Sequence, residues 1–220
     1  MEAIENIKRR RSYRAFKPDP IPREVMQEVI EAATNSPTFM STQPWEVAVV
    51  TGKKKDRLSD KLLELAKTQA QKRPDVSAPP PWPTELDQRK HDHGARRLKT
   101  LGIEREDEEG REALRLMNFE FYGAPCAVFL YMDGSLGEWS TYDMGLFTQT
   151  LLLAAHARGI GSVIQGAVTD YAPEIKDLLG IDAHKKLLVC ISMGYPDPEA
   201  LINSYRSIKK KPEEFVTWHE

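Results

Sequence analysis

Apolar and polar positions along the chain change period several times, and each change marks an element. In residues 22–34, Val25, Met26, Val29, Ile30 and Ala33 recur at helical spacing with Glu24, Gln27, Glu28 and Glu31 opposite. With Pro22 suited to the first helical position, this predicts an amphipathic helix, and residues 3–9 can form a shorter one. Residues 45–51 are rich in β-branched side chains and end at Gly52, which predicts a strand, followed by a charged helix over 54–72. Further strands are predicted over 127–132, 161–165 and 186–193, the last ending in a Gly194-Tyr195-Pro196 turn. A helix over 172–179 is closed by Gly180. Residues 142–158 are apolar on nearly every side, through Met144, Leu146, Phe147 and Leu151 to Leu153. Such a helix is buried all round, and in a chain this short that implies burial against a second subunit.

Between residues 74 and 83 lie five of the 15 prolines, with Trp82 among them, which predicts a stiff, extended excursion. Residues 85–121 read as polar and helical, broken near Gly94 and Gly102, with the acidic run Glu104, Glu106, Asp107, Glu108 and Glu109 as a solvated helix face. The tail carries Lys209, Lys210, Lys211 and Pro212, then Phe215, Val216 and Trp218, a β-prone ending that suits pairing with its own sheet or a partner's. With no repeat and no linker, residues 1–220 read as one domain with an excursion at about 74–122.

Composition narrows the class. At 40% hydrophobic and 29% charged residues the chain should fold around one core, and 31 basic against 33 acidic side chains give no global field for nucleic acid or an anionic membrane. The apolar stretch at 124–132 is far shorter than the roughly 20 residues of a spanning helix. Residues 1–11 are charged and lack the apolar core of a secretory signal, so a cytoplasmic location is expected. Cys126 and Cys190 each sit in a predicted strand, as packing residues and not as a disulfide framework.

Several familiar chemistries are excluded by spacing. No G-x-G-x-x-G dinucleotide fingerprint and no G-x-S-x-G elbow occurs, and residues 161–166 have P-loop spacing with Ala167 and Val168 where Lys and a hydroxyl are required. His91 and His93 flank Asp92 without a metal-binding context and read as solvated. The chemistry therefore falls to a cofactor.

Three segments point to that cofactor. Arg10, Arg11, Ser12 and Arg14 place guanidinium groups and a hydroxyl within a few residues, and Arg forks match phosphate oxygens bidentately. Residues 36–45 form a hydroxyl-rich loop between a helix end and a strand. Residues 159–161 and Gln165-Gly166 expose bare backbone, although Gly159 also fits an ordinary helix C-cap.

The order R-x-S-x-R-x-F, S-P-T-x-x-S-x-Q-P-W, G-I-G-x-x-x-Q-G and finally a basic residue before K-P-x-E-F-V-x-W resembles the FMN-dependent nitroreductase family across nearly the whole chain. The resemblance implies an α+β fold, a central and mainly antiparallel sheet flanked by helices, built as an intertwined homodimer with FMN at the subunit interface. By position, Arg10, Ser12 and Arg14 would hold the flavin phosphate, ribityl chain and pyrimidine edge, with Arg11 beside them. Ser36, Pro37 and Thr38, with Ser41, match the loop that approaches from the other subunit. Gln165 and Gly166 match the pair whose backbone lies beside the hydride-accepting nitrogen, and Lys210 stands at a second phosphate contact that Lys209 or Lys211 could also supply. Thr38 departs from the usual Ser, Ser41 from an Asn and Lys210 from an Arg.

The excursion resembles, more loosely, the subset associated with nitrobenzoate-type acceptors. Trp82, Phe119, Phe121 and Tyr122 could wall a slot for a planar ring, with core packing as the competing reading. The implied activity is ping-pong reduction of nitroaromatic or quinone-like acceptors by NADH or NADPH through FMN. Reductive dehalogenation, enoate reduction, flavin breakdown or a flavin sensor without turnover are the alternatives on the same scaffold. No side chain is assigned as catalytic acid or base and no metal is expected.

Overall fold

Strands β1 (Glu46–Thr51), β2 (Cys126–Met132), β3 (Gly161–Gln165) and β4 (Lys186–Gly194) form one antiparallel sheet in the order β1-β2-β4-β3. This is a computed structural model describing residues 2–77 and 79–220; Met1, at the start of the charged N-terminal segment, and Ala78, within the proline-rich stretch, lie outside the described residues.

Strand periodicity explains why β2 is a continuous apolar run. Cys126, Val128, Leu130 and Met132 face one core with α2 (Arg23–Ala33) and α6 (Glu138–Ala157), where Met26, Val29, Phe147 and Leu151 are buried. Ala127 and Phe129 face a second core with α3 (Gly52–Lys67) and α7 (Ala172–Leu179), built on Leu58, Leu62, Phe121 and Ile175. A strand covered on both faces shows no alternation of apolar and polar residues. Both cysteines are buried and free, and burial pushes the Cys126 thiol up to about 12.

Helix α1 (Ala3–Arg9) forms as predicted, and α2 begins one residue after Pro22. Gly180 closes α7 in the left-handed region, at φ +70°. Helix α3 stops at Lys67, short of the predicted residue 72. Helix α4 (Thr84–Thr100) runs through Gly94, and the expected break falls only at Gly102, at φ +66°. A helix-interior glycine costs about 1 kcal/mol, which the pairs Glu85–Arg89 at 2.7 Å and Asp87–Lys90, with the Gln88–Asp92 hydrogen bond at 2.8 Å, help to offset.

The acidic run is exposed but is not one helix face. Residues 104–107 precede α5 (Glu108–Leu116), and the Asp107 carboxylate caps it by accepting from the Gly110 N–H at 2.8 Å. The aromatic wall is also corrected. Phe119, Phe121 and Tyr122 are buried in the core, with Phe119 packed on Tyr171 at 5.8 Å between ring centroids, whereas Trp82 is half-exposed. Burial of apolar rings against α3 and α7 outweighs presenting them to a slot.

Residues 74–83 carry no helix or strand among the described residues, and their entry is clamped. The Arg73 N–H donates to the Asp170 carbonyl at 2.7 Å, Lys72 pairs with Asp170 at 2.8 Å, and Arg73 pairs with Glu174. The buried Lys176 ammonium meets Asp75 at 3.0 Å.

Helix α6 is covered on one side only within the chain. Met144, Phe147, Leu151, Leu152 and Ala155 are buried, while Trp139 is 67% and Tyr142 63% exposed. The tail pairs with no strand of its own chain: it makes a short 3₁₀ turn at Pro212–Glu214 and leaves Phe215 and Trp218 exposed. Among the described residues no helix is long and apolar enough to cross a membrane.

Candidate functional site

The N-terminal basic segment is held in place from both ends. The Arg10 N–H donates to the Asn6 carbonyl at 3.0 Å, and Asn6 is itself fixed on α6, donating to the Leu153 carbonyl at 2.9 Å and facing His156 Nδ1 at 2.7 Å. Beyond α1 the chain is extended. Ser12 bridges Ser162 of β3, and the Tyr13 N–H donates to the Ser162 carbonyl at 3.0 Å. Gly161 is required there: a Cβ on it would lie 2.6 Å from Pro196 and 2.9 Å from the Tyr13 ring. The bare backbone at this glycine is thus spent on the protein's own N-terminal segment.

Asn203, 2% exposed, completes the hold. Its Oδ1 accepts from the Arg14 N–H at 2.7 Å, and its Nδ2 donates to the carbonyls of Ala15 at 2.9 Å and Asp197 at 2.8 Å. Backbone pairing in the 12–16 segment sets the direction of its side chains, so Ser12 and Arg14 point to one side.

That side is a cleft of about 230 Å³ lined by Arg10, Arg11, Ser12, Arg14, His93, Tyr205, Arg206 and Lys209, among others. No carboxylate lines it among the described residues. Buried Nε atoms of Arg11, Arg14, Arg96 and Arg97 have no hydrogen-bond partner. An unsatisfied buried donor costs about 1–3 kcal/mol, more when charged; of these four residues Arg11 and Arg14 line the cleft, and the Arg11 guanidinium lies over the Tyr13 ring at 4.6 Å.

Helix α4 supplies the far wall. His93, Arg96 and Arg97 share a face through their i, i+3, i+4 spacing, and the Tyr205 hydroxyl lies 3.0 Å from His93 Nδ1. Burial, then the Arg14 charge, lowers the Arg97 guanidinium pKa. Burial, then Arg97, Arg14, Arg96 and Lys209, lowers the His93 pKa. His93 thus lines the cleft and is not the solvated side chain its sequence context predicts, and Arg96 and Arg97, which no sequence motif marks, share its face. Their i, i+3, i+4 pattern was the available signal, but nothing in a polar helix tells which face meets the N-terminal arginines.

The remaining predicted residues sit elsewhere. Ser36, buried, donates from Oγ to the Ala33 carbonyl at 2.7 Å at the end of α2. Pro37 is exposed, Thr38 Oγ1 accepts from the Gln43 N–H at 3.4 Å, and Ser41 Oγ accepts from Gln43 Nε2 at 3.3 Å. The loop is tied to the start of α6, where the buried Asp143 carboxylate accepts from the Phe39 N–H at 3.1 Å. The basic cleft is tied to the end of α6 through Asn6 and His156. Thirteen residues separate the two attachments, about 20 Å at 1.5 Å per residue, so one chain does not bring the loop to the cleft.

Gln165 is 2% exposed, donating from Nε2 to the Asn118 carbonyl at 2.8 Å and accepting from the Ser192 hydroxyl. A Cβ at Gly166 would meet no other atom, so the backbone there is open to approach. Lys210 faces Glu85 at 3.3 Å, and of the three tail lysines Lys209 lines the cleft.

Residues 7–195 match the sequence profile of the Nitroreductase family. The chain belongs to the nitroreductase family. Nitroreductase NfnB of Mycolicibacterium smegmatis is 37% identical over 203 residues, covering 91% of this chain and 85% of that protein. 4-Nitrobenzoate reductase of Pseudomonas putida is 33% identical, covering 94% and 91%. The crystal structure of the FMN-dependent nitroreductase NfnB from Mycobacterium smegmatis, in complex with NADPH, superposes with a TM-score of 0.95 at 34% identity, covering 99% of this chain and 98% of that one. The expected α+β nitroreductase fold is borne out by this likeness and by the antiparallel sheet. Within this nitroreductase the basic cleft, fixed by Asn203 and Gly161, is the part of the surface whose donor set fits a phosphate-bearing cofactor.

Proposed function

We propose that this nitroreductase-family protein is an FMN-dependent oxidoreductase that takes electrons from NADH or NADPH and reduces nitroaromatic or quinone-like acceptors. The observation that carries the reading is the carboxylate-free cleft with buried, unpartnered Nε atoms on Arg11 and Arg14. A flavin phosphate carries about −1.5 to −2 near neutral pH and accepts from several donors at once, which satisfies these groups. Bound FMN would supply the electron-carrying ring. Arg10, Arg11, Ser12 and Lys209 are suited to the phosphate, while Lys210 is held on Glu85. Arg14, next along the extended segment, is suited to stabilise negative charge at the ring's pyrimidine edge. The open backbone at Gly166 would let a planar group lie close.

We also propose a homodimer in the cytoplasm. The loop carrying Ser36, Pro37, Thr38 and Ser41 is tied to α6 about 20 Å along the helix from the point where the cleft is tied. They can serve a cleft only on a second copy, which would also cover Trp139, Tyr142 and the exposed tail. The near balance of charge gives no support to a nucleic-acid role.

The deciding experiment is the visible absorption spectrum of the purified protein and its anaerobic change with each reduced pyridine. A flavin band bleached by NADH or NADPH and restored by a nitroarene is the expected result. A flavin that neither donor bleaches would leave a carrier or sensor; acceptor assays with halo and enoate compounds separate the other chemistries.

A further inference from the structure

The cleft holds more positive charge than one flavin phosphate needs. Seven cationic side chains line it, and Arg96 and Arg97 share one face of α4 with His93, which also lines it. A phosphate of about −1.5 to −2 leaves most of that charge uncompensated. Of the seven, Arg9 pairs with Glu5 at 3.5 Å, whereas the buried Nε atoms of Arg11 and Arg14 are unpartnered, as are those of Arg96 and Arg97 on α4. Surface pairs elsewhere on α4, Glu85 with Arg89 and Asp87 with Lys90, show that this helix pairs its cations where carboxylates are in reach.

Arg97 is the most telling member. It is partly buried, and after burial the Arg14 charge is the next cause that lowers its pKa. His93 adds a ring fixed by Tyr205 on the same wall.

Resting on the flavin reading above, we infer that Arg96, Arg97 and His93 form a second anion subsite that takes an oxyanion carried by the ligand entering after FMN. The shared chemistry is a carboxylate or phosphate oxygen pair meeting a guanidinium fork. It has two sources: the carboxylate of an aromatic acid acceptor, or the extra phosphate that distinguishes NADPH from NADH. The subsite would make this protein selective for charged over neutral second ligands.

The test uses FMN-loaded protein and non-reacting probes, followed by the perturbation of the flavin's absorbance. Benzoate is compared with benzamide, and NADP+ with NAD+, on the wild type, Arg97→Gln and Arg96→Gln. One hydrogen-bonded charge partner corresponds to roughly tenfold to a hundredfold in dissociation constant, so Arg97→Gln should weaken benzoate or NADP+ by that factor. Benzamide, NAD+ and FMN itself should move less than about threefold, a bound set below that charge-partner effect. Loss confined to benzoate identifies an acceptor carboxylate; loss confined to NADP+ identifies the donor's phosphate. Equal losses for charged and neutral probes, no loss for any, or loss of FMN in place of the probes would overturn the subsite. If the wild type takes up no FMN, the flavin reading fails by itself. The subsite is then decided on flavin-free protein: thermal stabilisation by benzoate or NADP+ that Arg97→Gln removes supports it, and its absence refutes it.

Discussion

Replacing Lys176 by Met isolates one buried interaction with long reach. Its side chain is 8% exposed, and its ammonium pairs with Asp75 at 3.0 Å and donates to the carbonyls of Ala183 and Lys185, each at 3.1 Å. Asp75 also accepts from the Leu187 N–H at 2.8 Å, so this ion pair ties the entry of the proline-rich excursion to α7 and β4. Removing one partner of a buried pair costs about 3–5 kcal/mol, because the other charge is left without compensation. Asp75 keeps Leu187 and is 21% exposed, which screens part of that penalty, so about 2–4 kcal/mol is expected. For a chain of this size that is a fall in Tm of about 4–16 °C. Urea unfolding followed by circular dichroism measures it, and Lys176→Met/Asp75→Asn should recover part of the loss by removing both charges. A change below about 0.5 kcal/mol in the single variant would refute the reasoning, since that is the range of ordinary surface substitutions.

Three further outcomes test the site and its surroundings. Arg10→Ala should weaken FMN by about 1.5–3 kcal/mol in equilibrium titrations while leaving riboflavin, which has no phosphate, nearly unchanged; equal losses for both would remove the phosphate role. Truncation before Pro212 should lower flavin retention and dimer stability together in sedimentation and ultrafiltration assays, and unchanged values for both would show that the tail serves neither. His184 lies between Asp182 at 2.7 Å and Asp133 at 3.1 Å, whose hydrogen bonds raise its pKa above 6.5, while those to Ser135 and then His184 lower Asp133. The raised histidine stabilises fully below its unfolded pKa and loses this as pH rises through the folded value; the lowered Asp133 contributes above its ordinary 3.8 and loses that as pH falls through its folded value. Proton NMR should therefore place the His184 titration above 6.5, and Asp133→Asn should lower it; no movement would sink the linkage.

Local rules determined much of this molecule. Amphipathic spacing fixed α2, a β-branched run fixed β1, short apolar runs marked the other strands, and Gly180 closed α7, because each depends on neighbours within a few residues. The basic N-terminal segment was legible for the same reason, as Arg10, Arg11, Ser12 and Arg14 lie in one short stretch. Tertiary contacts decided what those rules leave open. Gly94 stayed inside α4 because side-chain pairs along the helix offset its cost, and Phe119 and Phe121 went to the core because two sheet faces had to be covered. Asn203 and the Arg96–Arg97 wall depend on chain segments far apart in sequence, for which a local pattern carries no information. The same holds for α6: its apolar periphery was visible in the residues, but only packing shows that the chain covers one side and leaves the Trp139 and Tyr142 side bare. An apolar position records that burial is favourable, and the three-dimensional arrangement alone decides what does the burying.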